Sequence, residues 1–217
     1  MKRLGLVVLP LLLAACGGTG GLPSASRFEA EAGVSGARID AQIVRVVNKD
    51  SGTLKRIDRR FTLTQPQVRF ITRAGSIGGT VRRAEVEILD GSGNRFADVN
   101  GLYIQSFSAQ LLPGWACTNA AGTTQPDVNP YTCPAASRAP YARPQLFPEA
   151  SNNASGQLVI PNVGEVAIDE CVAGPCPANL TMNVTFTVLD DNGRTNTVRI
   201  EKSPIPVYRL SDTTVEE

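Results

Sequence analysis

Residues 181–200 read TMNVTFTVLDDNGRTNTVRI, and the rest of the chain is read outward from this stretch. Met182, Val184, Phe186 and Val188 alternate with Thr181, Asn183, Thr185 and Thr187, which is the period of a half-buried strand. The return strand offers Val198 and Ile200. Asn192-Gly193 invites a two-residue type I′ loop, but that register sets Phe186 against Arg199 and Thr187 against Val198, mixing the faces. A one-residue shift turns every side chain over. A three-residue loop, Asp191-Asn192-Gly193 with Gly193 left-handed, sets Phe186 opposite Val198 and Val184 opposite Ile200. That bulged hairpin is the predicted one.

The same period recurs upstream. Ile39, Ala41 and Ile43 alternate with Arg38, Asp40 and Gln42; Val68 and Phe70 with Gln67 and Arg69; Ala84, Val86 and Ile88 with Arg83, Glu85 and Glu87. Asp50-Ser51-Gly52, Asp90-Gly91-Ser92-Gly93-Asn94 and Asn100-Gly101 read as turns. Residues 102–112 are apolar with an ambiguous face. Leu158, Ile160, Val166 and Ile168 read as two short strands around a turn at 161–164. No window has convincing helical spacing, and the 20 glycines and 15 prolines would interrupt most helices.

Residues 79–91, GTVRRAEVEILDG, look like the middle of bacterial immunoglobulin-like domains, where a glycine turn precedes an alternating strand ending in Asp-Gly. Residues 184–194, VTFTVLDDNGR, are similar to the closing hairpin of those domains. The resemblance implies an all-β, immunoglobulin-like antiparallel β-sandwich, with one domain over 27–211 and a tail at 212–217. It says little about function. The chain departs from the family in a long Pro-rich insertion, 113–150, where a compact repeat has a short loop.

At the other end, Lys2 and Arg3 precede an apolar run, residues 4–13, and then Leu13-Ala14-Ala15-Cys16. Broken by Pro10, the run is too short to span a bilayer, which takes about 20 apolar residues. The pattern is that of a secretory signal and resembles the lipobox of bacterial lipoproteins. The resemblance implies that Cys16 carries a diacylglycerol on its sulfur, that the leader 1–15 is removed, and that the new amino group is acylated. Two or more acyl chains suffice for stable anchoring. Residues 16–26, the lipidated cysteine followed by GGTGGLPSAS, then form a flexible tether with a reach of roughly 18 Å. Gly17, in place of an aspartate, implies the outer membrane by the enterobacterial sorting rule.

The formal charge of +1 includes Lys2 and Arg3, so the mature chain stands at −1, unlike a nucleic-acid binder. Residues 27–95 hold 13 Lys/Arg and 8 Asp/Glu, whereas 96–217 hold 6 and 12; this split suggests a dipolar surface or two faces meeting different partners. There is no histidine, which argues against Ser-His-Asp and Cys-His hydrolysis, His-ligated metals and imidazole pH sensing. With Cys16 assigned to lipid, four cysteines remain. The favoured reading is two local disulfides, Cys117 with Cys133 and Cys171 with Cys176, in an oxidising compartment. A four-cysteine zinc site is the rival, but the spacings lack its tight knuckles.

The insertion is the first place to look for function, because structureless loops beyond about 15 residues are uncommon. Trp115, Tyr131, Arg138, Tyr141 and Arg143 could serve as interface anchors on a loop stiffened by proline and a disulfide; alternatively the segment caps one end of the sandwich with Trp115 in the core. Lys49, Lys55, Arg56, Arg59 and Arg60 could face anionic head groups or acidic polysaccharide, or they guard an exposed strand against pairing. Asp190, Asp191, Asn192, Asp90 and Asn94 could ligate calcium, though tight turns require the same residues. No other cofactor is expected. Asn153, Asn179 and Asn183 match a glycosylation acceptor pattern that means nothing in such a lipoprotein. No phosphate loop, nucleophile elbow or Ser-x-x-Lys is present, and the neighbouring carboxylates Asp169-Glu170 and Asp190-Asp191 fit turns. The expectation is a lipid-anchored, non-catalytic binding or structural subunit of an envelope assembly. A carbohydrate-binding module ranks second and a carboxylate hydrolase third.

Overall fold

A computed structural model describes residues 27–96, 102–147, 158–160 and 163–217. Cys16 with its leader and tether, the Asn100-Gly101 turn, the last residues of the insertion and Asn153 lie outside them. In chain order the strands are β1 (Ala30–Ser35), β2 (Arg38–Val47), β3 (Leu54–Thr64), β4 (Gln67–Thr72), β5 (Gly79–Leu89), β6 (Tyr103–Leu111), β7 (Trp115–Thr118), β8 (Thr124–Gln125), β9 (Arg138–Pro140) and β10 (Arg143–Phe147). The helix α1 (Val163–Ala173) follows, then β11 (Leu180–Asp190), β12 (Thr195–Ile205) and β13 (Val207–Glu216). Strands make up 57% of the described residues, so the chain is mainly β.

The β11–β12 hairpin has the predicted register. Phe186 lies opposite Val198 and Val184 opposite Ile200. Gly193 sits at φ 77°, donating its N–H to the Asp190 carbonyl at 2.8 Å while Asp190 N–H reaches Arg194 O at 2.9 Å. Every second residue of β11, from Leu180 to Asp190, is buried. Strand β11 is a central strand, and β12 an edge, of the sheet β12-β11-β5-β6, and a second sheet has the order β1-β4-β10. Phe70 of β4 meets Phe186 of β11 at 4.9 Å and Phe107 of β6 at 6.3 Å between centroids, with Phe147 of β10 at 5.7 Å. The rings pack edge to face, the arrangement their quadrupoles favour.

The third sheet, β13-β2-β3, is an arm. Strands β1 and β2 form one long ribbon with β3 and β4, antiparallel throughout, interrupted at Gly36 (φ 84°) and at Gln65-Pro66. Strand β13 adds to β2 in parallel. Residues 212–216, predicted as a tail, are therefore strand: their backbone pairs with β2 although most of their side chains bury nothing.

The helix corrects a second expectation. Val166 and Ile168 were predicted in a strand, but Val163, Ala167, Ile168 and Cys171 are buried at i, i+4, i+5 and i+8, a helical stripe. It covers Ala41 and Ile43 of β2. Gly164 lets the first turn press on Phe61, whose ring a Cβ would overlap. At the far end Arg209 donates to the carbonyls of Cys171 and Gly174, and Arg45 to Val172 O at 3.3 Å. Asp212 holds both guanidiniums at 3.1 Å. Two cations thus meet the negative end of the helix dipole, and the Cys171–Cys176 disulfide closes the exit. Asp169 and Glu170 lie on this helix rather than in a turn, with Asp169 ion-paired to Arg59.

Candidate functional site

The insertion is folded rather than a structureless loop. Strand β7 is the centre of a small sheet, β8-β7-β9, with two 3₁₀ turns, Pro130–Thr132 and Ala135–Ser137, packed beside it. Asn119 shapes the β7–β8 turn by accepting from Ala121 N at 3.0 Å and Thr123 N at 2.9 Å. Asn129 caps the first 3₁₀ turn by accepting from Tyr131 N at 3.0 Å. The Cys117–Cys133 disulfide crosses between them. The root is Gly114, whose N–H bonds Ser76 O at 2.9 Å and whose carbonyl accepts from Gly75 N and Tyr141 N. A Cβ there would overlap the Arg73 carbonyl, so only glycine allows this approach.

Four of the five candidate anchors converge inside this module. Trp115 is 8% exposed, and its indole N–H bonds Pro130 O at 3.1 Å. Arg138 lies 4.9 Å over the indole and donates Nε–H to Cys133 O at 3.1 Å. Arg143 is also 8% exposed; it reaches Pro126 O at 2.8 Å and Trp115 O at 3.1 Å. Buried carbonyls need such donors, and one guanidinium fastens two strand ends at once. Tyr141, half-buried, lies under Arg143 at 5.4 Å. Tyr131 turns the other way. Its hydroxyl donates to Asp191 Oδ2 at 2.8 Å, tying the insertion to the β11–β12 loop, and burial followed by the Asp191 carboxylate pushes the phenol pKa up. The outer surface of the module is almost without charge: among the exposed residues of 119–136, Asp127 is the single ionisable carboxylate and no lysine or arginine is present.

Of the turn carboxylates proposed for calcium, Asp190 and Asp90 accept from donors of their own turns, and Asp191 accepts from the Tyr131 hydroxyl. Asp190 accepts from Arg194 N at 2.8 Å, Asn192 N at 3.0 Å and Asn196 Nδ2 at 2.8 Å. Asp90 accepts from Ser92 N at 2.8 Å and Asn94 N at 2.9 Å. Among the described residues no three His, Cys, Asp or Glu side chains are grouped to hold a metal. Burial pushes Asp190 up, but its three donors outweigh this and hold it below the usual carboxylate range; the Asn94 amide lowers Asp90 likewise. A carboxylate lowered on folding contributes stability that is complete above the unfolded pKa of about 4 and is lost as pH falls through the folded value. Urea midpoints should therefore drop below about pH 4, and Asp190→Asn should flatten that drop. An unaltered acid profile would contradict the assignment.

The basic cluster lies mostly on β3, an edge of the arm. Arg56 pairs with Glu217 at 2.6 Å and Asp58 at 3.3 Å, Arg59 with Asp169, and Lys55 donates to Glu217 O at 2.8 Å. Two grooves were not foreseen from sequence. One of about 220 Å³ on the outer face of β11 and β5 is lined by Glu85, Glu87, Asn183 and Arg199. Another, of about 550 Å³, is lined by Phe28, Glu31, Arg73 and Thr197. Several of their carboxylates are ion-paired, Glu85 with Arg83 at 2.5 Å, Glu87 with Arg95 at 2.9 Å and Glu31 with Arg73 at 2.5 Å. Comparison with protein-family models and with curated proteins finds no match to the chain.

Proposed function

We propose that the chain is a lipoprotein of a bacterial envelope, anchored through Cys16, that serves as a non-catalytic binding or structural subunit of a larger assembly. The observation that carries this reading is the construction of the insertion. Its aromatic and arginine side chains hold one another and the backbone, and a disulfide locks the result. A surface fixed before contact loses little entropy on binding, which suits recognition. The two disulfides support an oxidising compartment, and the outer membrane is the proposed location. An immunoglobulin-like sandwich is the fold proposed to go with it, supported by the rings of β4 and β10 meeting those of β6 and β11 in one cluster.

Affinity capture from detergent-extracted membranes at native expression tests the reading. A single envelope protein in fixed stoichiometry, retained through size exclusion, is the expected result. Recovery of the chain alone, together with saturable glycan binding or turnover by the pure protein, would overturn it.

A further inference from the structure

The insertion lies at the end of the molecule where the described chain begins. Ile77 N bonds Arg27 O at 3.2 Å, Arg73 N bonds Glu29 O at 3.0 Å, and Glu29 N bonds Ser76 Oγ at 2.7 Å. The same loop, residues 73–77, grips Gly114. From there β1 leads to Gly36, and beyond that glycine β2 carries the arm on to its tip, residues 48–53, along about 33 Å of strand at about 3.3 Å per residue. Cys16 and Arg27 are joined by no more than about 40 Å of extended chain. An anchor at Cys16 therefore keeps the insertion within reach of its own membrane.

The surface held there is unlike the chain as a whole, of which 19% is charged. Asp127 is the single charge among the exposed residues of 119–136, and the large apolar side chains there are Val128, 38% exposed, and Tyr131, 39% exposed. A bilayer is a poor match, since surface binding takes basic residues or a broad apolar face. A sugar is a poor match too, because Trp115 and Tyr141 lie under guanidiniums. Charged residues are depleted and tyrosine enriched at the centre of a protein interface, and this disulfide-held patch carries one carboxylate beside the exposed Tyr131 and Val128. We infer that residues 119–136 dock on a membrane-embedded protein through an uncharged part of its surface, beside the lipid anchor. The inference rests on the proposed acylation of Cys16.

Benzoylphenylalanine placed in the full chain at Thr124, Val128 or Ala136, with Arg60 and Thr213 on the arm as controls, tests it in intact cells; a palmitate analogue labels Cys16 in the same strains. The three insertion positions should yield one adduct of common mass containing an integral membrane protein, with none from the arm. Val128→Asp should abolish the adduct formed from Ala136. Adducts with lipid, adducts from the arm alone, or none at all would overturn the docking while the label persists. Absence of the label would overturn the anchoring, and the docking with it.

Discussion

Phe186→Ala should lower unfolding free energy by about 3–5 kcal/mol, the range for a large ring deleted from a packed core. The ring is fully buried and stands 4.9 Å from Phe70 and 5.1 Å from Phe107 between centroids. It is the point at which the hairpin, β4 and β6 meet, so no one neighbour can collapse into the space. Phe61→Ala, at a side chain 38% exposed, should cost visibly less. Urea denaturation of the two variants makes the comparison. Equal losses would mean that the four-ring cluster is not the centre of the fold.

Replacing both Cys117 and Cys133 with serine should cost about 3 kcal/mol, the chain-entropy value for a loop of about 15 residues. The Cys171–Cys176 pair closes a shorter loop, for which the same relation gives about 2 kcal/mol. The difference should also be one of place. Trp115 is the single tryptophan of the chain and belongs to the main core cluster, so its fluorescence reports on the place where the insertion meets that core. In the double variant that signal should shift toward the exposed wavelength, and cleavage should begin within 119–137, before amides of β11 and β12 lose protection. Simultaneous loss of all three signals would show that the insertion is part of the main cooperative unit rather than a module fastened to it.

The hairpin was legible because two independent constraints agreed: the apolar period on both strands and a glycine placed where a positive φ is needed. The pairing of the cysteines was legible for a similar reason, since each bond closes a local loop. Helix α1 was not, because Val166 and Ile168 mimic a strand when Ala167 and Cys171 are not counted as apolar. Counted together with Val163, they mark a helical stripe. The pairing of β13 left no trace in the sequence: a strand held by backbone bonds beside β2, with most of its side chains in water, has no apolar period to read. Trp115 could be placed inside as one of two alternatives. Arg143 could not, because arginine is rarely buried and the carbonyls that draw it in, Pro126 and Trp115, come from sequence positions that say nothing about their direction. The uncharged surface of 119–136 was present in the sequence from the start, but its meaning depended on knowing which of its residues face outward.

The chemical form of Cys16 bears most directly on the whole account. Intact-mass and fragment analysis of protein extracted from cell membranes should find a chain beginning at Cys16, with diacylglycerol on its sulfur and no trace of residues 1–15. A polypeptide that keeps its first fifteen residues, or one that begins at Cys16 with a free thiol, would contradict it.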